Sequence, residues 1–211
     1  MMRAYEALER LRDGNRRFVE GIRSEEGLPV RTRRQQLTTG QEPSAIILGC
    51  SDSRVPAEIV FDQGLGELFV IRVAGNIVAP SQIASVEFAA DRFGTRLVIV
   101  LGHSRCGAVL ATLEELGRPT EQRSKHLRSI VDRIRPAVQP LVEMHGDHSC
   151  DAVVQQSVRA NIRASANQLR HGSQLLEQLI QTDGLCIVGA EYSLETGEVD
   201  FFDGLPTHPG E

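Results

Sequence analysis

The hydrophobic pattern changes character near residue 45. Over residues 2–22, Leu8, Leu11, Phe18 and Ile22 recur at helical spacing, and Asn15 is the one polar break in the stripe. This predicts an amphipathic helix. No strand follows to hold it, so it is expected to dock on a neighbouring subunit. From Ala45 onward, short continuous runs of Val, Ile and Leu alternate with longer helical patterns. The runs at 45–50, 67–73, 97–102 and 185–190 read as strands covered on both faces. Helices are expected at 80–92, 106–116, 124–143, 150–170 and 173–182. Strand–helix–strand order favours a parallel sheet with right-handed crossovers. The alternating segment GEVDFF at 197–202 adds an antiparallel edge. The predicted fold class is α/β, as a single domain over 1–211. It comprises a mainly parallel β-sheet flanked by helices, an antiparallel edge strand, and an N-terminal helical arm (1–40) ahead of an α/β core (41–211).

Composition narrows the function classes. A chain of 211 residues, 41% hydrophobic and 24% charged, can bury a sizeable core without covalent staples. Its longest apolar runs, such as AIILG and LVIVLG, are too short to cross a bilayer, and no secretory signal pattern precedes them. A cytoplasmic protein with no membrane partner is expected. A net charge of −5, no tryptophan and 4% aromatic residues argue against a nucleic-acid partner. The basic residues between Arg3 and Arg34 read as a solvated face. In such a compartment Cys50, Cys106, Cys150 and Cys186 are thiols rather than a disulfide framework. The question becomes which of them are ligands.

Two strand ends carry the candidate chemistry. The first run leads into Gly49-Cys50-Ser51-Asp52-Ser53-Arg54, and the third into Gly102-His103-Ser104-Arg105-Cys106-Gly107. In a parallel sheet both leave from the carboxyl edge, where ligand crevices form. Cys50, Asp52, His103 and Cys106 can therefore converge from distant parts of the chain. Two thiolates, an imidazole and a carboxylate suit zinc rather than magnesium or calcium. Cys106 is expected in the first turn of the next helix, whose dipole favours a thiolate. Taken singly, each residue has a plainer reading: a small buried thiol, a loop histidine, a turn-capping aspartate with a surface arginine. Together, at the ends of two strands, they form a specific pattern. The stretch MHGDHSCD at 144–151 also gathers His145, Asp147, His148 and Cys150, but as neighbours in a loop they read as solvated. Cys186, inside an apolar run, reads as core.

GCSDSRVP at 49–56, GELFVIRVAGN at 66–76 and GHSRCGAV at 102–109 resemble the β-class carbonic anhydrases. ALERLRDGNRRFVEG at 7–21 resembles the family's N-terminal arm, and VGAEYSLETGEVDFF at 188–202 its closing strand, so the likeness spans nearly the whole chain. The resemblance implies Zn2+ as cofactor, with Cys50, His103 and Cys106 as ligands and Asp52–Arg54 as the catalytic dyad. Asp52 becomes a fourth ligand only in a closed state. It implies substrate-binding positions at Gln41, Phe69, Ala74 and Gly107, and a homo-oligomer, dimer or tetramer, with exchanged N-terminal helices. The implied reaction is reversible hydration of CO2 to bicarbonate and a proton, with zinc-bound hydroxide as the attacking group and Asp52/Arg54 gating the metal. Two positions depart from related members. Phe88 stands where plant members often have tyrosine. Ile47 replaces the tryptophan of an inhibitory bicarbonate site otherwise matched by Arg72 and Tyr192, which disfavours the closed form. Alternatives that share the fold are a CS2/COS hydrolase and a non-catalytic, zinc-stabilised bicarbonate-binding protein. A cysteine-nucleophile hydrolase using Cys50 or Cys106 with His103 is a further one.

Overall fold

The computed structural model describes residues 2–22, 30–116, 126–145 and 150–206. Among them, five strands form one sheet: β1 (Ala45–Gly49), β2 (Leu68–Arg72), β3 (Leu97–His103), β4 (Cys186–Tyr192) and β5 (Val199–Asp203). Their order is β2-β1-β3-β4-β5, with parallel pairing up to β4 and an antiparallel β5. The helices are α1 (Ala4–Val19), α2 (Val30–Gln36), α3 (Ala57–Val60), α4 (Pro80–Arg92), α5 (Gly107–Leu116), α6 (Arg128–His145), α7 (Asp151–His171) and α8 (Gln174–Thr182). Short 3-10 turns lie at Leu37–Thr39 and Ala74–Asn76.

The continuous apolar runs become strands because both faces of the sheet are covered. Every residue of β1 and β3 is buried. Successive residues alternate between two cores. Ile46, Leu48, Val98 and Val100 pack under the layer of α4–α8, while Ile47, Leu97, Ile99 and Leu101 face α1 and α3. Gly102 lets α7 close on the end of β3, since a Cβ there would lie 2.5 Å from Ile162.

Within one chain the amphipathic helix buries Ala4, Ala7, Leu8 and Leu11 against its own sheet. The apparent flaw in its stripe explains how it is held. Asn15 is buried and satisfied on three sides. Its Nδ2 donates to the Val60 carbonyl at 3.1 Å and the Gly197 carbonyl at 2.9 Å, and its Oδ1 accepts from the Val199 N–H at 2.9 Å. One side chain thus ties α1 to α3 and to the β4–β5 turn. Among the described residues, no helix is long and apolar enough to cross a membrane.

Candidate metal centre

The pairing of β1 with β3 sets Gly49 beside Leu101, so the residues just beyond each strand meet at the carboxyl edge of the sheet. Cys50, His103 and Cys106 gather there, all buried, with one potential ligand atom from each lying within 4.8 Å of the others. It is the only such group among the described residues. Cys106 sits one residue earlier than expected, as the cap of α5 rather than in its first turn. Its carbonyl accepts from the Leu110 N–H, and its sulfur accepts from the N–H groups of Ala108 and Val109. The helix therefore still aims its positive end at the sulfur.

Each ligand candidate is oriented by the backbone around it. The Cys50 sulfur accepts from the Gly75 N–H at 3.3 Å, and Asn161 on α7 holds the Gly75 carbonyl at 2.8 Å. His103 Nδ1 lies 2.9 Å from the Ser104 carbonyl, so Nδ1 carries the proton and Nε2 is left with its lone pair. That Nε2 is buried without a hydrogen-bond partner. A buried acceptor left unpaired costs about 1–3 kcal/mol. The three donors fit Zn2+, which takes thiolates and imidazole, and the orphaned nitrogen is the atom a metal would satisfy.

Electrostatics point the same way. A hydrogen bond from the Cys106 thiol, with help from the Gly75 N–H, holds Cys50 well below the usual thiol range despite its burial. That hydrogen bond, together with burial, pushes Cys106 up. A divalent cation bound between the two sulfurs would displace their protons and be held by two thiolates. Burial pushes the His103 imidazole down, but Cys50 outweighs it and the net shift is upward.

Asp52 stands at the mouth, its Oδ2 3.8 Å from His103 Nε2. Arg54 grips it as a fork, with Nε 2.9 Å from Oδ1 and Nη2 2.7 Å from Oδ2, while the Arg54 N–H adds a third bond at 3.0 Å. Arg54 holds the Asp52 carboxyl far below the usual carboxylate range. Arg72 donates to the Cys50 and Asp52 carbonyls and so braces the loop from β2.

The other expected site residues divide between the two sheet edges. Ala74 and Gly107 lie at the carboxyl edge, and nothing stands within 4 Å of where a Gly107 Cβ would be. Gln41 is exposed ahead of β1, and Phe69 pairs with Ile46 near the start of β2, both towards the amino edge. Ile46 is four residues before Cys50, so at about 3.3 Å of rise per residue Phe69 lies roughly 13 Å along the sheet from it, and Gln41 lies beyond the start of β1. The structure does not bring these two to the cluster within one chain. Phe69 instead packs against Phe88 and Phe93. Cys186, expected in the core, is half-buried at the start of β4, beside a cavity of about 270 Å³ also lined by Arg170 and Leu185. In the MHGDHSCD stretch His145 and Cys150 are exposed, and Asp147 and His148 lie outside the described residues.

A family model described as carbonic anhydrase matches residues 45–199. A carbonic anhydrase of Mycolicibacterium smegmatis is 37% identical over 207 residues, covering 97% of this chain and 94% of the relative. Carbonic anhydrase 2 of Mycobacterium tuberculosis is 37% identical over 199 residues, covering 94% of this chain and 93% of the relative. Among solved structures, a β-carbonic anhydrase of Aspergillus fumigatus superposes with a TM-score of 0.73 at 25% identity, covering 84% of this chain and 83% of that one. Tetrameric β-carbonic anhydrases of Sordaria macrospora share the fold at a TM-score of 0.72 and 22% identity, covering 81% of this chain and 85% of theirs.

Proposed function

The chain belongs to the β-carbonic anhydrase family of enzymes, and on that premise we propose that it hydrates CO2 reversibly at a zinc ion held by Cys50, His103 and Cys106. The observation that carries the metal reading is the buried three-donor cluster with the His103 Nε2 lone pair unmatched. Bound zinc supplies Lewis acidity: it lowers the pKa of a water in its open fourth position from about 15.7 towards neutrality, less far than about 7 here because two thiolates offset the ion's charge.

The protein's own groups do the rest. Arg54 keeps both Asp52 oxygens engaged, so the carboxylate stays off the fourth ligand position and gates it. Asp52 Oδ2, 3.8 Å from His103 Nε2, would be placed to accept a hydrogen bond from a water at the site and to orient it towards CO2. The open space beside Gly107 would admit a small linear substrate. Gln41 and Phe69 sit too far along the sheet to serve the same chain's cluster, so they reach a substrate pocket only from a second copy. The reading therefore includes a homodimer, or a tetramer built from dimers. Four free thiols suit a reducing, cytoplasmic setting.

The test is zinc content by elemental analysis paired with stopped-flow CO2 hydration. About one zinc per chain, and hydration that rises between about pH 7 and 8.5, are expected. Arg54→Ala should keep the zinc and lose at least about tenfold in kcat/KM, because a freed Asp52 can take the fourth position. A zinc-loaded parent with no hydration at either end of that range overturns the catalytic reading, and a parent that takes up no zinc overturns the ligand set.

A further inference from the structure

The two residues between His103 and Cys106 are fastened to a distant turn. Ser104 is held at three points by the β4–β5 connection. Its N–H donates to the Tyr192 carbonyl at 2.9 Å, its Oγ accepts from the Leu194 N–H at 3.0 Å, and its hydroxyl donates to Glu195 Oε2 at 2.8 Å. The Ser104 carbonyl in turn holds His103 Nδ1. The other Glu195 oxygen pairs with Arg105 Nε at 3.0 Å. Arg105 sits at φ 52°, in the left-handed region that non-glycine residues rarely adopt. A single carboxylate therefore spans the loop that sets the spacing of two ligand candidates.

We propose that Glu195 is a positioning residue for the metal site, acting through the Ser104 hydroxyl to fix the His103 ring and the approach to Cys106. The inference rests on the reading of Cys50, His103 and Cys106 as ligands. The Ser104 contact carries it rather than the Arg105 pair. The Arg105 side chain is 75% exposed, and an ion pair so open to water contributes little. Ser104 is half-buried, and its carbonyl is the partner that sets the imidazole's orientation. Partners of this kind, one bond removed from a metal, typically alter affinity about 10–100-fold.

The experiment measures zinc affinity of the full chain by competition with a chromophoric chelator, for the parent, Ser104→Ala, Glu195→Ala and Glu195→Gln. Ser104→Ala and Glu195→Ala should bind zinc about 10–100-fold more weakly. Glu195→Gln keeps an oxygen to accept the Ser104 hydroxyl and should stay within about threefold of the parent, a rescue that loss of the Arg105 ion pair would not allow. Cobalt-substituted protein gives a second readout: its absorption bands should shift in the two alanine variants and not in Glu195→Gln. Should Ser104→Ala fail to fold, the two Glu195 variants decide. Zinc affinity of Glu195→Ala within about twofold of the parent, or Glu195→Gln as weak as Glu195→Ala, overturns the proposal while leaving the ligand set intact. A parent that binds no zinc defeats the ligand set itself.

Discussion

Alanine at position 75 should both destabilise the fold and loosen Cys50. Gly75 lies at φ 71°, and a Cβ there would stand 2.9 Å from Ala108 Cβ and 2.9 Å from Ile134 Cδ1. The left-handed backbone costs a non-glycine residue about 1–2 kcal/mol. Forcing a methyl into a filled space costs about 1–3 kcal/mol more. Together the loss is roughly 2–5 kcal/mol. Relief requires the segment to move, and the Gly75 N–H on Cys50 and the Gly75 carbonyl on Asn161 move with it. The assay is urea unfolding at fixed protein concentration. With a slope of about 2–3 kcal/mol per molar, the midpoint should fall by about 1–2 M. The internal control is Gly107→Ala, the same substitution three elements away in open space, expected to change stability by no more than about 0.5 kcal/mol. A midpoint for Gly75→Ala within about 0.3 M of the parent, or an equal loss in both variants, would refute the steric reasoning.

Asn15→Leu should cost about 2–4 kcal/mol in the same urea assay, because it strands the Val60 and Gly197 carbonyls and the Val199 N–H; a loss below about 1 kcal/mol would mean the clamp is dispensable. Glu191 supplies a pH dependence. Burial raises its carboxyl pKa despite the Arg159 guanidinium, so ionised Glu191 weakens the fold above the raised value, and the penalty vanishes as pH falls towards the ordinary 4.5. Glu191→Gln should therefore gain on the parent in thermal midpoint between about pH 4.5 and pH 7; an equal difference at both pH values would contradict the sign.

The sheet was legible because its strands are buried on both sides and so stand out as unbroken apolar runs; observed ends differ from expected ones by a residue or two. The short helices were not. VRTRRQQ has no apolar stripe, and AEIV makes a single turn, so neither leaves a period to detect. That α1 also packs on its own sheet was not legible, because the strands it covers lie far along the chain from it. A polar residue inside a helical stripe looks like a gap in a core, whereas Asn15 replaces hydrophobic contact with three hydrogen bonds whose partners are far along the chain. Cys186 shows the reverse error, since an apolar run does not say which of its ends meets solvent. At the site, the convergence of Cys50, His103 and Cys106 could be anticipated because residues beyond adjacent parallel strands share an edge. Their supports could not. Gly75, Asn161, Ser104 and Glu195 act through hydrogen bonds that carry no spacing signature. Gln41 and Phe69, at the far edge, were reachable only by resemblance.

The Asn15 clamp also sets an order of events during translation. Asn15 is separated from Gly197 by 182 residues and from Val199 by 184. At about 5–20 residues per second, a ribosome takes roughly 10–40 s to cover that stretch. Until then Asn15 has only the Val60 carbonyl to hold, and the first helix lies on the growing sheet half latched. β5, the last of the described strands to be made, completes the lock on the first helix. A nascent product stalled short of β5 would hold its first helix by apolar contacts and the Val60 bond alone, without the two bonds to residues 197 and 199.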